Sequence, residues 1–411
     1  MDRKIVYAIA LAWCVVSVGA TADAGGGQPG ETARRILRKT ENPGGLLVHV
    51  GCGDGTLTAE LAECELVVQG LDTDPDDVRR TRRRLKDAGN YGRATARAWN
   101  GDRLPYVDNL VNVLVVDEEV EVPHREMKRV LAPRGRLYLQ GENGWSAESM
   151  EWPKELDEWP MYMHDSRGSF VSEDQRVGPP EGLRWTGGPM WARSHEHTAA
   201  MQAMVTAEGR MFHVMDEGPT ESIQLPSRYT LTARDAFNGS VLWTKELPDW
   251  FNNLFPLKSG PAYMPRRLVA AGDRVYVSPG AGHNLLALDA ATGRELQEYS
   301  NTATTMEFIH SNGTLFAAIE PEHDPVDYRQ QHPNCWRERD RARNKWTWKS
   351  QHDRKLRAID PESGEVLWER DRPVAPMTLA ADDRMVCFYN GESVVALDRD
   401  SGRELWTSEP V

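Results

Sequence analysis

The sequence predicts an α/β doubly wound domain followed by an all-β propeller array, and three observations carry that prediction. Strand-like and helix-like stretches alternate from residue 31 to 143, the pattern that builds a parallel sheet covered by helices. The second half then writes one phrase four times: ARDAFNGSVLW (Ala233 to Trp243), ALDAATGRELQ (Ala287 to Gln297), AIDPESGEVLW (Ala358 to Trp368) and ALDRDSGRELW (Ala396 to Trp406). Each copy follows a further strand-like run, beginning at Gly209, Gly272, Asn312 and Asp382. Strand pairs recurring at irregular intervals mark propeller blades with insertions between them.

The 411 residues open on Met1-Asp2-Arg3-Lys4, an apolar run from Ile5 to Val18, and Ala22-Asp23-Ala24. Basic, apolar and small-x-small segments in that order predict a signal peptide over residues 1–24 and an exported protein, periplasmic or extracellular. The apolar run is short for a membrane span, and no second one follows. A net charge of −13 argues against a broad polyanion-binding surface, so nucleic acid is not an expected partner. Arg79, Arg80, Arg82, Arg83, Arg84 and Lys86 read instead as the solvated face of one helix. Beyond the signal, Cys52, Cys64, Cys335 and Cys387 are scattered, which predicts small buried apolar residues and no disulfide framework.

In the first module, Glu31 to Thr40 reads as an amphipathic helix and Leu46 to Val50 as a buried strand. That strand runs into Gly51-Cys52-Gly53-Asp54-Gly55 before a helix from Leu57 to Cys64, a context in which small residues let a ligand approach the backbone. A second strand, Leu66 to Leu71, ends at Asp72, about 20 residues past the turn, where an acid in this topology accepts hydrogen bonds from ribose hydroxyls. A helix (Asp76 to Ala88), a short strand (Ala94 to Trp99), a strand reaching Asp117 (Val111 to Val116) and a helix (His124 to Leu131) follow. Ala132 to Gly135 then turns into a fifth strand. The antiparallel strands expected to close such a sheet are not legible, because the text becomes Trp-rich and irregular at Gly144.

VHVGCGDG (Val48 to Gly55), GLDTDP (Gly70 to Pro75), LPYVDN (Leu104 to Asn109) and VLAPRG (Val130 to Gly135) form an ordered set. The set resembles the motifs of class I S-adenosylmethionine (SAM)-dependent methyltransferases. The resemblance implies that Gly51, Gly53 and Gly55 line the methionine end of SAM and that Asp72 holds its ribose. Asn100 stands where an acid commonly accepts from the adenine amine, and its carbonyl can accept without the charge. His49 replaces the acid usual two residues before the first glycine. Asp117 is the candidate to contact the methyl acceptor; the catalytic residues are otherwise unassigned, and the acceptor is open.

In every repeat an aspartate (Asp235, Asp289, Asp360, Asp398) ends a strand, and a glycine (Gly239, Gly293, Gly364, Gly402) follows four positions later. Aspartate bonds the backbone two residues on and glycine supplies positive φ, so the unit is a hairpin corner. The wording resembles the repeat of pyrroloquinoline-quinone (PQQ)-type β-propellers from about residue 185 to 411, which implies that Trp243, Trp368 and Trp406 pack between blades. PQQ itself is not expected, since the corner aspartates are explained by their turns. About four blades are expected, with a charged insertion over 320–355 and a Trp- and Pro-rich linker over 144–184. Four is fewer than the ring is expected to need, so further blades are expected from beyond Val411 or from another chain. No metal site is expected: His195, His197, His323, His332, Cys335 and His352 read as loop residues.

The linker wording and GPMWARSHEH (Gly188 to His197) resemble large secreted bacterial proteins that fuse a methyltransferase-like domain to PQQ-type blades. Three functions follow. The first is a SAM-dependent methyltransferase whose propeller binds a protein or envelope substrate or partner. The second is a non-catalytic envelope scaffold with a vestigial methyltransferase fold. A quinone-dependent dehydrogenase ranks last.

Overall fold

The computed structural model describes residues 29–38, 44–142, 144–180, 182–189, 201–221, 225–248, 250, 264–280, 282–320 and 354–411. The signal over 1–24, the His195 and His197 pair, and His323, His332, Cys335 and His352 of the charged insertion lie outside them.

The first module is one sheet in the order β3-β2-β1-β4-β5-β6. Its strands are β1 (Leu46–Val50), β2 (Val67–Asp72), β3 (Ala94–Ala98), β4 (Val111–Val116), β5 (Leu131–Gly141) and β6 (Gly144–Ser149). The first five run parallel, as the sequence predicts. β6 corrects the expectation at Gly144: it pairs antiparallel with β5, and the linker starts after it. β6 is an edge strand with half-buried or exposed residues throughout, so it lacks the apolar alternation by which strands are read.

Helices α1 (Pro29–Arg38), α2 (Thr56–Leu61), α3 (Pro75–Asp87) and α4 (His124–Val130) cover both faces of the sheet. Val113 and Val115 of β4 pack with Ile36, Leu61 and Leu85 from the first three helices. The alternate residues Leu114 and Val116 pack with Met127 and Val130 of α4, which is the period of two expected of a strand buried on both sides. α3 starts because Asp74 caps it, accepting from the Asp76 amide at 2.8 Å, with Pro75 fixing the first turn. Arg79 and Arg80 pair with Asp76 and Asp77 one turn back, and Arg84 pairs with Asp54 at 3.0 Å. The basic run is a solvated face on which Arg79, Arg80 and Arg84 are paired with carboxylates.

The repeats form four antiparallel four-stranded sheets. The first contains β7 (Met201–Ala207), β8 (Arg210–Asp216), β9 (Tyr229–Asp235) and β10 (Val241–Leu247). The second contains β11 (Leu268–Ala271), β12 (Arg274–Val277), β13 (Leu285–Asp289) and β14 (Glu295–Tyr299). The third contains β15 (Thr305–Ser311), β16 (Thr314–Ile319), β17 (Lys355–Ile359) and β18 (Val366–Asp371), and the fourth β19 (Ala380–Ala381), β20 (Met385–Tyr389), β21 (Val394–Asp398) and β22 (Glu404–Thr407). The corners are built as the sequence predicts. Asp289 accepts from the amides of Ala291 and Thr292 at 3.1 and 2.8 Å, Asp360 from those of Glu362 and Ser363 at 2.9 and 2.7 Å, and the glycines have φ of 64–75°.

The linker runs past the inner strands of all four blades. Trp159 and Pro160 carbonyls accept from Thr206 and Ala270 at 2.9 and 2.7 Å, while Ser166 meets Ser311 at 3.2 Å and its carbonyl accepts from Ala381 at 2.8 Å. Within it, His164 lies between Asp157 at 2.8 Å and Ser169 at 3.2 Å. Burial works against the charge on Asp157, but the Glu173 amide and His164 prevail and hold its carboxyl down at about 2.

A polar knot joins the two modules. Asn112 of β4 accepts from the Leu46 amide at 2.8 Å and from the Asn238 side chain at 2.6 Å, and donates to Asp235 at 2.7 Å. Arg134 pairs with Glu208 beside it and lies over the Trp152 ring.

Among the described residues Cys52 is buried, Cys64 and Cys387 are half-buried, and all three are free thiols. No described helix is long and apolar enough to cross a membrane.

Candidate functional site

The glycine turn lies across the carboxyl end of β1, tied to its neighbours on both sides. Gly51 and Cys52 amides donate to Leu71 O of β2 at 2.9 and 3.1 Å, and the Asp117 amide donates to Val50 O at 3.0 Å. The three glycines have φ of 84°, 51° and 83°, but only two are demanded by packing. A Cβ on Gly51 would stand 2.9 Å from Val120, and one on Gly55 2.6 Å from the Thr81 backbone of α3. A Cβ on Gly53 would meet only Gly51 O, at 3.9 Å, so this position faces open space.

Asp72 is buried beside that opening. Its two oxygens accept from the Gly53 and Asp74 amides at 2.9 and 3.0 Å, fixing the turn against the end of β2. Each carboxylate oxygen retains further acceptor capacity. Cys52, between the glycines, bonds to Thr81, and burial pushes its thiol up to about 11, so it is a neutral packing residue at pH 7.

His49 explains its own departure from the resemblance. Buried on β1, it stands between Thr58 Oγ1 at 2.8 Å from Nδ1 and Asp117 Oδ1 at 3.1 Å from Nε2. A neutral ring satisfies both contacts if Nε2–H donates to Asp117 and the threonine hydroxyl donates to Nδ1. The acid absent from β1 is thus met by the acid at the end of β4. A polar residue on a strand otherwise buried asks for such a partner; the sequence contained that signal, although spacing could not name Thr58.

Asp117 also borders a cleft of about 950 Å³ at the carboxyl ends of β4 and β5. Asp102, Asp117, Glu118, Glu121 and Glu142 line it, and among the described residues no lysine or arginine does. Of the expected site residues only Asp117 reaches this cleft. Gly51 packs behind it, and Asn100 sits at its rim, exposed, in a short turn with Asp102 next to the lining residue Gly101.

The Leu104 to Asn109 segment is held by a clamp that spacing did not reveal. Arg129 of α4 donates to Glu126 through two nitrogens at 2.8 and 2.6 Å, to Asp108 at 2.7 Å and to the Tyr106 carbonyl at 2.9 Å. Glu126 accepts in turn from the Leu104 amide at 2.9 Å, and Arg129 holds its carboxyl below the usual range.

Fold and site together define a methyltransferase-like domain joined to PQQ-like β-propeller repeats. Residues 47–135 match the methyltransferase domain family. Residues 181–320 and 343–410, about half of the chain, match the family described as outer membrane protein assembly factor BamB, and the chain belongs to that family. No curated protein matches it. Among solved structures it is similar to a SAM-dependent methyltransferase from Methanococcus maripaludis, at 22% identity and a TM-score of 0.26, covering 28% of this chain and 56% of that one. A SAM-dependent methyltransferase from Aquifex aeolicus matches at 19% identity and a TM-score of 0.24, over 26% and 62% of the two chains. Geranyl diphosphate C-methyltransferase from Streptomyces coelicolor matches at 19% identity and 0.25, over 26% and 42%. The chain thus spans about half the length of the solved structures it matches.

Proposed function

We propose that the first module binds SAM at the glycine turn and transfers its methyl group to an acceptor entering the adjoining cleft, while the propeller repeats bind a protein or envelope partner. The observation that carries this reading is the opening above Gly53, with Asp72 fixed beside it at the carboxyl edge of a parallel sheet, where ligands of such sheets bind. These residues fit a nucleoside with a small cationic tail. Gly51, Gly53 and Gly55 would keep the backbone clear, Asp72 would accept from ribose hydroxyls, and Asn100 would meet the base. When bound, SAM supplies a methyl group on a sulfonium, so the demand on the protein is to position the acceptor. Asp117, fixed by His49 and facing the cleft, is the residue placed to do so. The leader-like residues 1–24 support an exported protein.

A second reading, a binding scaffold whose methyltransferase fold is retired, is favoured by one observation: Asp72 and His49 each already hold hydrogen bonds to protein partners. Isothermal titration of SAM into the full chain separates the two. Saturable heat, lost with Gly53→Val and weakened with Asp72→Asn, is expected for the methyl-donor site. No heat at millimolar SAM from folded protein would retire that reading and leave the scaffold.

A further inference from the structure

The arginines buried in the repeats are held by backbone carbonyls. Arg266 donates to Leu379 O at 2.6 Å, Arg267 to Trp250 O at 2.9 Å and Arg399 to Asp382 O at 2.9 Å. Arg210, the half-buried first residue of β8, stands apart. Its Nε is buried without a hydrogen-bond partner, and among the described residues no carboxylate lies within ion-pair range of its guanidinium. The neighbouring acids are engaged elsewhere. Glu208 pairs with Arg134, and Asp235 accepts from Asn112 at 2.7 Å on one oxygen and from the Phe237 and Asn238 amides at 2.9 and 3.0 Å on the other. Burial works against the charge of Arg210 and Arg134 adds repulsion, yet a guanidinium keeps its proton at neutral pH. A desolvated charge in that position is costly until an anion meets it.

Arg210 borders a crevice of about 60 Å³ between the two modules. Arg134 and Arg136 line it from β5, and Glu208 and Asp235 line it from the first blade. Three arginines thus stand against two acids, and burial pushes the Asp235 carboxyl up, so the lining carries an excess of positive charge. The volume equals that of about two waters, which suits one small anionic group and nothing larger. Asn112, also in the lining, sits at the amino-terminal end of β4, whereas Asp117 and the acidic cleft lie beyond the carboxyl end of the same strand. The two openings are therefore separate and of opposite charge.

We propose that this crevice binds a small oxyanion, a carboxylate or inorganic phosphate, held by the Arg210 fork with Arg134 and Arg136 supplying charge from the facing wall. A planar fork of N–H donors matches two oxygens of such an anion. Because Arg134 and Arg136 belong to the first module and Arg210 to the first blade, the bound anion bridges the two. The site does not rest on SAM binding to the first module.

Isothermal titration of inorganic phosphate and, separately, of acetate into the full chain, at constant ionic strength made up with chloride, tests the proposal. Saturable heat from at least one anion is expected, and whichever gives it identifies the ligand's class. Arg210→Met, which keeps the aliphatic stem, should weaken binding by at least about tenfold, the worth of a charge-assisted hydrogen bond. Arg210→Lys, which keeps the charge and loses the fork, should fall between. Thermal melting supplies an independent sign. In chloride alone Arg210→Met should unfold no lower than wild type, because it removes a charge that no protein group compensates, and saturating anion should lift wild type above the variant. No saturable heat from either anion with folded protein would overturn the proposal, as would binding that Arg210→Met leaves unchanged. Phosphate that SAM displaces would also overturn it, by moving the anion to the glycine turn. So would an Arg210→Met chain that melts below wild type in chloride alone, since the guanidinium would then already be compensated.

Discussion

Asp235 and Asp289 occupy the same place in the same phrase and are driven in opposite directions. At Asp289 burial works against the charge, but the Thr292 hydroxyl and amide outweigh it and hold the carboxyl below its ordinary value. Asp360 and Asp398 are likewise held low, by Ser363 and Ser401. At Asp235 burial prevails and pushes the carboxyl up, although the Asn112 side chain and the Asn238 and Phe237 amides bond it. Three corners face solvent or a neighbouring blade; the first is pressed against the other module. The same local turn becomes a structural cap in one setting and the centre of an interdomain joint in the other, and what lies over it decides which.

The comparison can be broken most forcefully at Asn112. Asn112→Leu removes both the donor to Asp235 and the acceptor for Leu46 and Asn238, leaving the buried carboxylate with one oxygen stripped of the Asn112 donor and only the amides of its own turn on the other. A cost of about 3 to 5 kcal/mol is expected, because removing one partner strands the other. Calorimetry should show it as two thermal transitions in place of coupled unfolding. An unchanged thermogram would mean that the knot joins nothing.

A smaller loss is expected at a corner covered only by its neighbour. Gly293→Ala places a side chain at φ 72° and drives it into Trp243, at about 2 kcal/mol. Urea denaturation of the two variants measures the order of effects.

The smallest effect sharpens the contrast through pH. Asp289→Ala should cost about 1 kcal/mol at neutral pH, the worth of a turn-capping acceptor. Because the folded Asp289 carboxyl lies below its ordinary value of 3.8, that contribution is present above about pH 4 and vanishes as pH falls through the lowered value. Asp235 has the opposite sign: its raised carboxyl binds a proton more tightly in the folded state, so its contribution grows as pH falls through the raised value. Urea midpoints taken from pH 6 to pH 3 should therefore close the gap between wild type and Asp289→Ala.

Much of this was legible because it is local. The strand ending at Gly51, the acid at Asp72 and the four corners each lie within a few residues of their own physical cause, a buried run, a positive φ or a side chain bonding two residues on. The inner strands β7, β11, β15 and β19 were not read, because their edges are completed by the linker and by neighbouring blades, not by a pattern of their own. The interdomain joint was half legible. Where the other corners place Thr292, Ser363 and Ser401, whose hydroxyls turn back to their own aspartates, the first places Asn238, whose amide reaches Leu110 and Asn112 instead. A single amide among three hydroxyls marked the corner that faces another module. His49 announced a partner without naming it, since Asp117 comes to it only when β1 and β4 lie side by side.

The linker's path past the inner strands has a consequence for how the molecule is made. Residues 159–166 leave the ribosome ahead of every strand they bind, so the backbone groups that receive Thr206, Ala270 and Ala381 exist before those strands do. Synthesis from the N-terminus therefore delivers these acceptors first and presents the vanes to them one at a time in chain order.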